Sequence, residues 1–468
     1  MNGPEPIVAV AFVASASTAF NHVGEAISDF KRAQQLAAAA AGKGQLQGSR
    51  LIVAQAKERE GWEWGQLGAS DRALNALSEA RDLFAASGNP RSSAITLLDI
   101  ADVWFDRGDY ALARKSYEDA LRVFRETGAQ QKLAYTLSRM GSMFYQQGKL
   151  EEAKRYQEDA LRVDREVGNG TERDMSNLAN VLDAMGELTG AVQLWQQAAQ
   201  GFHEQGDKSD EAITLTNLGG GFLRRGDIGL AKKSIEAAMA MQQEVSHKRG
   251  LGFSLLFLSE IQRAQDQLQD AQATTERNLV LRKELKDGAG IPETQLQLAE
   301  IAFEQGRNGE AESLARTAAA SFDQQKVTDL GAQSYGDLAR ALLAQGKMHE
   351  AEVNAHRATA LSQEGGDLTA RFEATLAAGA VNAALGKISD AAMALEAVRS
   401  ETSRKGYVYH ELEARLELGE LELRSGQMVR GRARLQQLQK DAHAKGFLLI
   451  ARQAAAAFDD TTGHPRPN

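Results

Sequence analysis

Three stretches hold residue types that could do chemistry. Gly219-Gly-Gly221 has the composition of a phosphate-cradling loop. Such a loop needs Gly-x-x-x-x-Gly-Lys-Ser/Thr between a strand and a helix, so that backbone N–H groups and a lysine surround the phosphate. Here Leu218 and Phe222 flank the triplet inside a helical pattern, and the glycines read as close helix packing. His349 and His356, with Glu350 and Glu352 beside them, are metal-ligating types. Ligands on one helix normally stand three or four apart, as in His-Glu-x-x-His. That motif does not occur, and a seven-residue spacing reads as a solvated face. The carboxylates alternate with Lys and Arg as helical surface pairs, and no Ser/His/Asp set stands out. Cysteine is absent, which excludes disulfides, thiolate metal sites and a cysteine nucleophile. No catalytic residue, cofactor or metal is therefore expected.

The elements that must position any site are set by a repeat. Gly108-Asp-Tyr-Ala-Leu-Ala113 recurs as Gly148-Lys-Leu-Glu-Glu-Ala153, and Glu118-Asp-Ala-Leu-Arg-Val123 recurs unchanged as Glu158-Asp-Ala-Leu-Arg-Val163, both 40 residues on. Self-similarity at such a period marks a solenoid. The Gly-x-x-x-x-Ala landmark runs through Gly68, Gly108, Gly148, Gly186, Gly226, Asp266, Gly306, Gly346, Gly386 and Gly426. All steps are 40 residues except the 38 between Gly148 and Gly186. A solenoid escapes the length prior of about three domains, because each repeat contacts only its neighbours.

Each repeat reads as two helices. Leu97, Ile100, Ala101 and Trp104 have helical spacing and predict a first helix over Ala94 to Asp106, ended by Gly108. A second runs from Tyr110 to Glu126, with Ala113, Tyr117, Ala120, Leu121 and Phe124 inward. Gly, Asn or Asp clusters close the second helices, as at Gly88-Asn89, Gly128, Gly168, Gly206, Asp287-Gly288 and Gly365-Gly366. Seven residues before each landmark stands Gly61, Ala101, Gly141, Ala179, Gly219, Ser259, Ala299, Ala339, Gly379 or Gly419, all small. Helices meeting at a close crossing need that lack of bulk.

Composition narrows the function classes. With 43% apolar and 25% charged residues the chain is not intrinsically disordered. A net charge of −9 with interspersed signs argues against nucleic acid, which rewards a basic stripe. The apolar run Ile7 to Phe20 is too short to span a bilayer, which takes about 20 residues. It lacks the cationic start of a secretory signal, so it reads as a first helix, and the cytoplasm is the expected compartment.

The landmark, the small residues and the paired helices resemble the tetratricopeptide repeat, a helix–turn–helix unit stacked into a right-handed superhelix. Its usual period is 34; the longer one is similar to that of kinesin light chains and bacterial regulators. The resemblance covers residues 49–446 and implies an all-α, right-handed superhelical solenoid of antiparallel helix pairs, with ten repeats. Residues 1–48 hold N-terminal helices and a candidate eleventh, degenerate repeat. Residues 447–460 read as a capping helix and 461–468 as a tail. The stretch from Glu411 to Arg452 resembles the end of repeat arrays in bacterial signalling proteins, where the array follows a Ser/Thr kinase or winged-helix domain. Kinase motifs are absent.

In the resembled family, ligands lie along the concave wall built by the first helices. The wall positions are the second, fifth, ninth and twelfth residues of each repeat, counting the landmark as fifteenth. They give Asp102 and Phe105, with Ile95 and Leu98, in the second repeat, and Tyr135, Ser138, Ser142 and Tyr145 in the third. Arg173, Asn180 and Asp183, with Ser176, follow in the fourth, Ile213, Thr216, Gly220 and Leu223 in the fifth, and Asn177 and Asn217 lie beside the row. Aromatic rings beside amide and charged groups suit an extended peptide. Tail-carboxylate capture is not supported, since only Arg173-x-x-x-Asn177 comes near the family's clamp. The expectation is a non-catalytic protein- or peptide-binding scaffold or sensor, without nucleic acid or membrane insertion. The rivals are a sensor of oligosaccharides or signalling peptides and a self-association module. The sixth repeat departs most, with Asp266 for Gly and Gln262 and Asn278 at core positions, and is expected to pack poorly.

Overall fold

Asn89 accepts a hydrogen bond from the Ser92 amide at 3.1 Å, and Pro90 opens the helix that follows. Proline is tolerated there because the first-turn N–H groups have no partner inside the helix. That helix therefore starts four residues before the expected Ala94. The structure is a computed structural model and describes residues 46–459. The expected N-terminal helices, the candidate eleventh repeat and the tail lie outside the described residues.

Among the described residues the chain is all-α, with 21 helices and no strand. α1 (Leu46–Gln66) and α2 (Ser70–Ala86) flank Gly68, and α3 (Pro90–Asp106) and α4 (Tyr110–Glu126) flank Gly108. α5 (Gln130–Gln146) and α6 (Leu150–Val167) follow, then α7 (Glu172–Ala184), α8 (Leu188–Gln205), α9 (Lys208–Arg225) and α10 (Ile228–Glu244). The sixth and seventh repeats are α11 (Lys248–Ala264) with α12 (Leu268–Glu284), and α13 (Gly290–Glu304) with α14 (Asn308–Gln325). The last three pair α15 (Thr328–Ala344) with α16 (Met348–Glu364), α17 (Leu368–Ala384) with α18 (Ile388–Lys405), and α19 (Val408–Arg424) with α20 (Met428–Lys445). α21 (Leu448–Asp459) packs on α19 and α20.

The crossing inside each repeat explains the small residues. A Cβ on Gly61 would lie 2.5 Å from Leu77, on Gly219 2.6 Å from Ile235, on Gly379 2.6 Å from Leu395 and on Gly419 2.7 Å from Leu435. The partner is always 16 residues on. Where the small residue is alanine, the partner at that offset is flat or small: Tyr117, Trp195, Ala315 and Ala355. Ser259 meets Thr275 through hydroxyls 2.6 Å apart. Bulk on one helix is thus matched by its absence on the other, the condition for native packing density.

The chain divides into two compact units, one ending at Asp174 and the other beginning at Met175. The division falls at the short 38-residue step, where α7 has 13 residues against 17 in α3 and α5. In the C-terminal unit the solenoid meets itself. The Tyr407 hydroxyl donates to the Asp183 carbonyl at 3.2 Å, and Lys405 Nζ to the Met185 carbonyl at 3.3 Å. A Cβ on Gly186 would lie 2.5 Å from Leu368, and on Gly226 2.8 Å from Val408. Both glycines take positive φ (76° and 88°), so they serve the turn and admit the returning coil as well. Asp266 holds positive φ without being glycine, and its carboxylate accepts two hydrogen bonds from Arg452 on α21, at 2.7 and 3.0 Å. The fourth, fifth and sixth repeats thus meet the ninth, the tenth and the cap, an offset of about one superhelical turn.

The second-helix ends differ in detail from the expectation. Lys286, not Gly288, holds the left-handed conformation, and Gly365 stays at negative φ while Asp367 caps α17 through the amides of Thr369 and Ala370. In the sixth repeat Asn278 is fully buried with no hydrogen-bond partner for its amide group, and Arg282 is buried against Phe253, its charge met by Asp287.

Candidate functional site

In the N-terminal unit the inner wall is largely committed to holding its own helices. The Asp102 carboxylate accepts from the Tyr117 hydroxyl within its repeat and from Arg139 Nε of α5 at 2.8 Å. The Arg139 guanidinium also lies 5.0 Å over the Phe105 ring, which is buried. Ser138 is buried, and its hydroxyl donates to Gln157 Oε1 at 3.1 Å. Gln157 Nε2 donates back to the Ser138 carbonyl at 3.0 Å, and the Ser142 hydroxyl donates to the same carbonyl at 3.1 Å. Tyr135 and Tyr145 present their rings at 43% and 39% exposure, and Arg173 is exposed at the start of α7. On α3, burial raises the Asp99 carboxyl to about 7, with repulsion from Glu58 and Asp102 adding to it.

Asn177, Asn180, Asp183 and Asn217 belong to the C-terminal unit. Asn180 Oδ1 accepts from Trp195 Nε1 at 2.9 Å and from Asn217 Nδ2 at 3.0 Å, which ties α7, α8 and α9 together. Asp183 pairs with Arg224 at 2.5 Å and stands at the seam, beside the Tyr407 contact. Asn177 is half-buried one turn before these groups.

Beyond this row a partly open channel runs between the first helices of the C-terminal unit. One chamber, a cavity of about 280 Å³, is lined from α9 to α19 by residues including Arg224, Phe257, Glu260, Glu300, Glu373 and His410. A second, of about 250 Å³, lies between α13, α15, α17 and α19, with Glu304, Arg340, Glu413, Glu417 and Arg424 in its wall. A neck of about 40 Å³ joins them, sharing Arg263, Glu300 and Glu373 with the first and Glu304, Arg340 and Glu413 with the second.

Acids outnumber bases in this channel. Arg263 pairs with Glu300 at 3.3 Å, Arg340 with Glu417 at 3.6 Å, and Arg224 is committed to Asp183. Burial pushes the Glu260 carboxyl up to about 7, with repulsion from Glu300 adding to it, and burial lifts Glu417 to about 7 against the pull of Arg340. Asp337 and Glu373 are driven well above the ordinary range by burial and then by neighbouring carboxylates. Asp337 Oδ2 and Glu373 Oε2 are shielded from solvent without a hydrogen-bond partner among the described residues. His410 is 2% exposed, burial holds its ring neutral, and neither nitrogen makes a hydrogen bond. Glu373 Oε1 lies 3.5 Å from its Nε2. No group of three His, Asp or Glu among the described residues could hold a metal ion, and no described helix is long and apolar enough to cross a membrane.

The wall register read from the sequence reaches this channel when carried into the later repeats. Glu260, Arg263, Glu293, Glu300, Gln333, Arg340, Glu373 and Glu413 all occupy second, ninth or twelfth positions. Stopping at the fifth repeat missed them. Their buried setting had no local signal, because it comes from closure of the coil.

Residues 92–166 and 175–204 match tetratricopeptide repeat family models, so these stretches are tetratricopeptide repeats. No curated protein sequence matches the chain. Among solved structures it is similar to the apo quorum sensor NprR from B. thuringiensis, at 14% identity and TM-score 0.55, over 68% of this chain and 87% of that one. A Rap protein complexed with Competence and Sporulation Factor gives 14% identity and TM-score 0.54, over 80% and 99%. Aspartyl phosphate phosphatase F from Bacillus subtilis gives 11% and 0.52, over 78% and 95%. At these identities the likeness is one of fold.

Proposed function

We propose that this chain is a non-catalytic binding module that takes a peptide or a segment of a protein along the inner wall of its solenoid. The observation that carries the reading is the partly open channel of the C-terminal unit, where His410, Asp337 and Glu373 hold buried polar atoms without partners among the described residues. Buried polar groups are normally satisfied, and leaving one unpaired costs about 1–3 kcal/mol. A peptide backbone and its side chains offer the complementary donors and acceptors. The fold shared with a quorum sensor and with a Rap protein in complex with a factor supports the reading. Tyr135, Tyr145 and Arg173 in the N-terminal unit, and Asn177 in the C-terminal unit, are proposed as peptide contacts of their own units, outside the channel.

On this reading the chain serves signalling, with a protein or peptide partner and without nucleic acid or membrane insertion. The test is capture of peptides by the immobilised chain, compared with Tyr145→Ala and with Glu373→Gln after all three are shown to fold. Loss on Glu373→Gln alone places binding in the channel, and loss on Tyr145→Ala alone places it on the exposed wall. Capture of no peptide by any of them counts against the module, and a melting-temperature rise with an oligosaccharide instead favours the sensor of small molecules.

A further inference from the structure

Two chambers and a neck follow one another along the first helices. On α15 they reach from Asp329 to Ala344, a rise of about 22 Å at 1.5 Å per residue. An extended chain covers that length with about six residues. The charge inside is lopsided. In the larger chamber Arg224 and Arg263 are engaged by Asp183 and Glu300, and Asp367 is occupied by the helix amides it caps. Among the described residues Glu260 and Glu373 have no cation in an ion pair with them, apart from the buried, neutral ring of His410 beside Glu373. In the neck, Asp337 adds a third carboxyl whose Oδ2 is shielded and unbonded. Apolar Leu223, Phe257 and Leu330 complete the larger chamber.

Excess buried carboxyls raise the cost of the empty channel, since each must either hold a proton or stand ionised without compensation. A ligand cation removes that cost. A metal ion does not fit, because no three ligating groups come together among the described residues. The unbonded His410 ring wants a directional hydrogen-bond partner such as an amide, and the apolar wall wants aliphatic contact.

Building on the peptide-binding reading, we propose that the channel of the C-terminal unit selects a short extended peptide of about six residues carrying Lys or Arg, whose cationic head sits between Glu260 and Glu373 and whose backbone meets His410. The aliphatic stem of such a side chain lies along Phe257 and Leu330, as long basic side chains do on apolar walls.

The experiment passes a randomised hexapeptide library, equimolar in basic, neutral and acidic members, over the immobilised full chain, and reads the retained sequences. Retained peptides enriched about tenfold or more in Lys or Arg, with the enrichment lost on Glu373→Gln or on Glu260→Gln, are the expected result. Either variant is expected to melt no lower than wild type, because a neutral amide replaces a carboxyl whose ionised form burial disfavours, and the wild-type selection stands by itself should a variant not fold. Retention of acidic or neutral peptides overturns the cationic assignment and leaves the peptide-binding reading intact. Retention of no peptide overturns both. Spermidine is titrated in parallel. If it binds where no peptide does, the channel takes small cations and the peptide assignment is wrong.

Discussion

Asp102 and Glu260 occupy the same ninth position of their repeats, one in each compact unit. Asp102 meets Arg139 from the next first helix and the hydroxyl of Tyr117. The corresponding neighbour of Glu260 in the next repeat is not a base but Gln297, whose side chain is taken up by Leu256 and Thr275. Its surroundings are instead Glu300 and the buried interior of a closed coil. One acid is a fastener between helices and the other has no ion-pair partner among the described residues. A carboxylate on a solenoid wall thus has no fixed meaning: the next repeat's sixth residue and the distance to the returning coil decide it.

That contrast can be broken at several points. The largest effect is expected at the seam. Gly148 and Gly226 are both landmark glycines at positive φ, but a Cβ on Gly148 meets nothing while one on Gly226 meets Val408 at 2.8 Å. Gly148→Ala should cost about 1–2 kcal/mol from the left-handed backbone alone, and Gly226→Ala about 1–3 kcal/mol more from overpacking. Equal shifts in urea midpoint for the two would mean that the coil does not close.

Removing charge should act with opposite sign in the two units. Asp102→Asn is expected to destabilise by about 1–3 kcal/mol, since Arg139 loses its partner. Glu260→Gln should stabilise, by on the order of 2 kcal/mol at pH 8 and by almost nothing at pH 5. Denaturation curves of both variants at the two pH values separate these outcomes.

Proton linkage sharpens the same point on the wild-type chain. Glu260 rises from an ordinary 4.5 to about 7 on folding. Between those values the folded state binds the proton and the unfolded state does not, so stability is present below about 4.5 and is lost as pH rises through about 7. Glu417 acts in the same window. The thermal midpoint should therefore fall from pH 5 to pH 8, and a midpoint that climbs over this range contradicts the buried acid excess. The smallest effect is reserved for Arg452→Ala. Its pair with Asp266 is half exposed, worth about 0.2–1 kcal/mol, and the expected readout is faster amide exchange in α21 with little change in the rest.

The sixth repeat shows how legibility ends. Asp266 in a glycine position reads in sequence as a fault, and the structure shows what it gains: a bidentate arginine 186 residues away. Asn278 in the same repeat is buried without a hydrogen-bond partner among the described residues, whereas Arg282, buried and paired with Asp287, stands where the second repeat has Phe124, and its burial was invisible until its neighbours were in place. The wall row shows the opposite case. Asp102, Tyr135 and Asn180 were reachable because position in a helical repeat fixes which face a residue is on, yet whether each is exposed or spent on its own helices depended on Arg139, Gln157 and Trp195.

By itself the sequence determined the helices, the turns and the pairing within each repeat, because these rest on contacts at most a few tens of residues apart: Gly61 against Leu77, Ser259 against Thr275, a positive-φ glycine at the turn. The tertiary structure decided the channel and its charge. Small rotations added over five repeats bring Tyr407 to Asp183 and Val408 to Gly226, and no single repeat encodes that sum. Only when the coil closes are Glu260, Asp337, Glu373 and His410 drawn out of water into one space, where their chemistry changes.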